Sequence, residues 1–111
     1  MMLLALAAAV SAVPPGKGPV TTYGFPNTDS CASWTESREG DAHLRLEQEG
    51  WVLGFITGLN AFGPNSSNVA PGTTATGLLG WVDNYCKANP LDSVTAAGFK
   101  LANELKRRSR R

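Results

Sequence analysis

Apolar side chains recur at steps of three and four through the middle of the chain, at Leu44, Trp51, Val52, Phe55, Ile56, Leu59 and Phe62. That spacing puts them on one broad stripe and predicts a helix over 42–62, with Asp41 suited to its N-terminus. Gly50, Gly54 and Gly58 form a second register, spaced by four. Each glycine costs about 1 kcal/mol of helix propensity relative to alanine, so three in line predict a face that another helix approaches closely. The membrane form of this small-residue pattern is the weaker explanation. The stretch 51–62 is about half of the ~20 residues a bilayer span needs, and Asn60 interrupts it.

Three further helices follow from the same reasoning. A short one over about 30–39 is capped by Asp29 or Ser30 and turns Trp34 inward. A third, over about 77–88, lines Leu78, Val82, Tyr85 and Cys86 on one face, with Leu79 and Trp81 beside them. The fourth begins at Asn89-Pro90-Leu91-Asp92: asparagine is a good N-cap, proline suits the first helical position, and Asp92 favours the positive end of the dipole. Leu91, Val94, Gly98, Leu101 and Leu105 then mark its packing face. Residues 13–28 are rich in proline and glycine without periodicity and read as an extended arm, pinned by Tyr23 and Phe25. Residues 63–76 read as a long polar loop, of the kind that is functional or mobile. Asn65-Ser66-Ser67 within it matches a glycosylation sequon, a short pattern that arises by coincidence. The predicted fold class is all-α: a compact bundle of about four helices over 29–106, followed by a basic tail, 107–111.

The N-terminus adds a compartment. Residues 1–12 form an apolar run ending Val10-Ser11-Ala12, with Pro14-Pro15 just beyond. Small residues at the −3 and −1 positions and a helix stop predict a cleaved signal peptide; a core helix is the alternative. The chain has 111 residues, 42% of them hydrophobic and 17% charged, which is ordinary composition for one globular domain. An even count of two cysteines in an exported chain predicts a Cys31–Cys86 disulfide. A reactive or metal-binding pair fits less well, since neither cysteine sits in a Cys-x-x-Cys pair and His43 is the one histidine.

The blocks Cys31-Ala-Ser-Trp34, Trp51-Val-Leu-Gly-Phe-Ile-Thr-Gly58 and Trp81-Val-Asp-Asn-Tyr-Cys-Lys-Ala-Asn-Pro90, before an amphipathic C-terminal helix, resemble small periplasmic proteins of the HdeA/HdeB type. The resemblance covers roughly residues 30–106. It implies a signal-peptide-bearing helical domain with one disulfide from an early helix to a late one, carried here by Cys31 and Cys86. It also implies an acid-stress chaperone, a homodimer at neutral pH that exposes apolar surface when acidified. The Gly-Phe-Ile-Thr-Gly stretch also resembles the central helix of Rap1a/Tai-type immunity proteins, whose further cysteines this chain lacks.

Charge is polarised. Lys106, Arg107, Arg108, Arg110 and Arg111 give the tail +5, and the remainder carries −4. The ordinary reading is a solvated helix end whose cations complement the dipole; the sharper one is a weak contact with an anionic membrane surface. Nucleic acid is not expected, because no aromatic residues interleave the tail. No serine sits in a nucleophile elbow, Glu36 and Glu39 read as solubilising charge, and His43 reads as a surface residue of a helix's first turn. No catalytic residue, metal or cofactor is expected. The expectation is a periplasmic or secreted protein-binding module, with Trp51, Phe55, Leu59 and Phe62 as the binding stripe. An inhibitor of one toxin or effector and a structural envelope protein are the alternatives.

Overall fold

In the computed structural model, residues 20–24, 28–63 and 68–110 are described. Within them the fold is all-α, with four helices: α1 Cys31–Gly40, α2 Ala42–Phe62, α3 Ala75–Ala88 and α4 Val94–Ser109. The predicted signal peptide, most of the arm, Phe25 and the sequon lie outside the described residues.

Side-chain oxygens start every helix. Ser30, Asp41, Thr74 and Ser93 each accept from the backbone N–H three residues on, satisfying a donor that the first helical turn leaves open. The α2 range is the one that periodicity predicts. The start of α4 is not: it begins at Val94, with Ser93 rather than Asn89 as its cap. Asn89 is already used, since its backbone N–H closes the end of α3 on the Tyr85 and Cys86 carbonyls and its side chain donates to the Tyr85 carbonyl. Asp92 lies in the turn, and Leu91, assigned to the packing face, is fully exposed.

The core is made by Cys31, Trp34, Val52, Ile56, Val82, Cys86, Val94, Ala97, Leu101, Ala102 and Leu105, with Ala70 from the loop. Residues 68–70 are therefore anchored rather than free. Val69 packs on the core, and its N–H donates to Asn60 Oδ1 at 3.0 Å. The Cys31–Cys86 disulfide joins α1 to α3 inside this core, with both cysteines fully buried. Just before it, a short bridge aligns the starts of α1 and α4: Cys31 N–H donates to the Asp92 carbonyl at 2.8 Å, and Val94 N–H to the Asp29 carbonyl at 3.2 Å. The Asp29 carboxylate does not cap its own helix; it accepts from the backbone N–H and the hydroxyl of Thr95, both at 2.9 Å.

A buried polar pair sits between α1 and α2. The Ser37 hydroxyl lies 2.7 Å from Gln48 Oε1. Gln48 Nε2 donates to the Thr28 carbonyl at 3.1 Å and to Ser33 Oγ at 3.3 Å. Gln48 is fully buried, and these partners replace the water it has lost.

The glycine register departs from expectation. Gly50, Gly54 and Gly58 are exposed, and a Cβ added at any of them would meet nothing within 4 Å. Among the described residues no helix uses that face. The close approach occurs at Gly98 on α4, where a Cβ would lie 3.1 Å from Trp51 Cζ3. Alanine at Gly50, Gly54 or Gly58 should therefore stabilise the domain, by up to about 1 kcal/mol each, since it adds helix propensity without a clash. Urea unfolding midpoints measure this; a destabilised G54A would mean that the face is occupied.

Candidate protein-binding site

The predicted stripe on α2 is split by its surroundings. Trp51 and Phe55 are half-buried and stacked, with ring centroids 5.6 Å apart and planes at 18°. Phe55 continues onto Phe99 of α4, with centroids 5.4 Å apart at 50°. Gly98 makes this possible, because a side chain there would hold α4 off the Trp51 ring. Leu59 is half-buried against the core, while Phe62, at the end of α2, is 90% exposed. The structure thus joins Trp51, Phe55 and Phe99 into one aromatic band and leaves Phe62 as a projecting ring. Phe99 was missed in the sequence because Gly98 occupied the inward position of its helix.

The arm touches this band. Trp51 Nε1 donates to the Tyr23 carbonyl at 2.8 Å. Gly24, at φ 122°, lies so close that a Cβ would stand 3.0 Å from Trp51 Cδ1. The expected pin is therefore Tyr23's carbonyl rather than its ring, which is exposed.

A charged clamp that sequence reasoning missed lies beside the band's supporting helices. Arg38 of α1 reaches both Glu49 of α2 and Asp83 of α3; its Nε is 2.8 Å from Asp83 Oδ1. Its Nη2 donates to Asp83 Oδ2 at 3.2 Å, so the Arg38–Asp83 pair is two-pronged. Trp34, fully buried, donates from Nε1 to Asp83 Oδ1 at 2.8 Å, and the guanidinium carbon stands 5.3 Å from its ring centroid. The three charged side chains are 20–27% exposed, half-desolvated rather than solvated. Glu39 and Lys87 line the same surface depression as Arg38 and Asp83.

Two further clusters lie near the two ends of α4. The Tyr85 hydroxyl donates to the Asp92 carboxylate. That bond, with the Ser93 N–H, lowers Asp92 below the usual carboxylate range; the same bond and partial burial raise Tyr85. Near the C-terminal end, Glu104 accepts from Arg107 Nε at 3.0 Å and from Arg108 Nε at 2.7 Å. The two guanidinium groups pull its carboxyl from the ordinary 4.5 down to about 2. A depressed carboxylate adds stability above its unfolded value and loses it as pH falls through its folded value. The Glu104 contribution should therefore persist at pH ~3 and fade only as pH drops towards ~2. An NMR titration of the Glu104 side-chain carbon checks this; a midpoint above pH ~4 would contradict the pairing.

Among the described residues no group of three or more His, Cys, Asp and Glu could hold a metal ion, and no helix is long and apolar enough to cross a membrane. His43 is exposed in the first turn of α2, as read, and both cysteines are spent in the disulfide.

Comparison with protein-family models, curated proteins and solved structures finds no match.

Proposed function

We propose that this chain is an exported protein-binding module that acts as an acid-stress chaperone of the periplasm. The reading is supported above all by the clamp of Arg38 on Glu49 and Asp83, which ties α1, α2 and α3 through paired charges. At neutral pH the two carboxylates offset the half-buried guanidinium. Without these partners the guanidinium would be left half-buried and uncompensated, a costly arrangement that favours exposing it to water. Full protonation also takes the formal charge from +1 to +11, and the resulting self-repulsion loosens packing further.

Loosening α2 from α1, α3 and α4 presents Trp51, Phe55, Leu59 and Phe62 to unfolding proteins, while the disulfide still holds α1 to α3. Phe62 is the part of the stripe already accessible at neutral pH. The test is aggregation of an acid-denatured client at pH ~2–3, with the oxidised chain present at equimolar ratio. Protection at acid pH and none at neutral pH is expected. Tight neutral binding of one partner, with no acid protection, would overturn the chaperone reading in favour of a single-target inhibitor.

A further inference from the structure

The arm meets α2 at two points, each time with a backbone carbonyl against a side-chain N–H. Gln48 Nε2 donates to the Thr28 carbonyl at 3.1 Å; three residues on, Trp51 Nε1 donates to the Tyr23 carbonyl at 2.8 Å. The two holds differ in kind. Gln48 is fully buried and bonded to Ser37, so Thr28 is fixed with the fold. Residues 20–24 are exposed throughout, and the large side chains among them, Val20 and Tyr23, are 72% and 82% exposed. This outer part of the arm therefore brings little apolar surface to the domain, and its hold is light.

Glycines approach both edges of the Trp51 ring. A Cβ on Gly98 of α4 would press on the benzene edge, at Cζ3 and Cη2; one on Gly24 would press on the pyrrole edge, at Cδ1 and Nε1. The first approach is helix on helix and belongs to the fold. The second lays a lightly held, non-helical piece of chain over the polar edge of the aromatic band. Neither of the arm's contacts with Trp51 uses a side chain of the arm. A carbonyl followed by a glycine is something that many polypeptides can present, and main-chain recognition of this kind tolerates sequence change.

We infer that Tyr23 and Gly24 are an intramolecular stand-in for the partner: docked, they close the pyrrole edge of Trp51, and displaced, they leave it to a non-helical, glycine-containing segment of another protein. The inference rests on the reading of the Trp51 stripe as the binding surface. It adds a control that operates at neutral pH and needs no loosening of α2.

The experiment compares the oxidised full chain with its G24V variant, both labelled with nitrogen-15, at neutral pH. A β-branched residue is strained at φ 122° and would clash with the indole, so valine lifts the arm. Position 24 lies outside the helices, and unchanged amide shifts at Cys31, Cys86 and Val94 verify that the variant keeps the fold. The Trp51 indole N–H is expected to shift in G24V and to exchange faster with water. The probes are two blocked peptides, Val-Thr-Thr-Tyr-Gly, which is the arm's own sequence, and the unrelated Ser-Asn-Ala-Leu-Gly. Both should shift the Trp51 indole saturably and bind G24V about tenfold more tightly than the unaltered chain, the ratio for an arm docked about nine-tenths of the time. G24V/W51F keeps an aromatic ring without the donor and should bind both peptides several-fold more weakly than G24V. An indole unmoved by G24V would overturn the inference, because the arm would not sit on Trp51. So would equal affinity of the two chains, no binding to either, or equal binding of the same peptides ending in valine. These readings are taken at neutral pH on peptides, so they and the acid-client assay can fail separately.

Discussion

A chain with alanine at both Cys31 and Cys86 is expected to lose about 4 kcal/mol of folding stability, the largest effect of any covalent change to this domain. The bridge closes a loop with a sequence separation of 55 residues, and on the chain-entropy account a loop of that size carries this penalty in the unfolded state. Small domains have net stabilities of about 5–15 kcal/mol, so the variant retains a minor part of its stability or unfolds at moderate temperature. Both cysteines are fully buried among Trp34, Val82 and Val94, and alanine leaves small apolar voids there rather than unpaired polar groups. Urea unfolding of the oxidised chain and the double variant measures the difference. A loss below about 1 kcal/mol would mean that helix packing constrains the unfolded chain as strongly as the bond does.

The second large effect belongs to Trp34. W34A should cost about 3–5 kcal/mol, the range for truncating a buried aromatic. Three losses coincide: the side chain has no exposed surface, its N–H leaves Asp83, and its ring leaves the Arg38 guanidinium. W34F separates them. It keeps most of the packing and the ring face while removing the donor, so it should cost clearly less than W34A, with the loss concentrated in the link between α1 and α3. If W34F and W34A were equal, the hydrogen bond to Asp83 would outweigh packing. If both were neutral, Trp34 would not be part of the core.

How much of this was legible in the sequence differs from element to element. Helix α2 was readable to its ends because its cap, Asp41, and its apolar stripe agree. The inward turn of Trp34 and the surface position of His43 followed from local pattern as well. The start of α4 misled because Asn89-Pro90 is a genuine start signal, but Asn89 had been claimed by the end of α3, and Tyr85 holds Asp92 in the turn. Which helix end wins a shared asparagine is decided by tertiary contacts, and these are not periodic. The α2 glycines misled for a related reason: propensity argues that such residues need a justification but does not say where it lies. The clamp was out of reach altogether. Arg38 and Asp83 are 45 residues apart, and nothing in the spacing of either marks the other. Of the predicted stripe, Trp51 and Phe55 do come together, but the band they form with Phe99 depends on Gly98, read as one more packing position.

The central claim is that neutralising the partners of Arg38 frees α2 from the other helices while the disulfide keeps α1 on α3. Amide hydrogen exchange of the oxidised chain at neutral pH and at pH ~2.5, corrected for intrinsic rates, tests it directly. The account predicts a selective loss of protection in acid along α2, from Gln48 to Leu59, with protection retained around Cys31 and Cys86. Protection that falls equally in all four helices, or not at all, would contradict it.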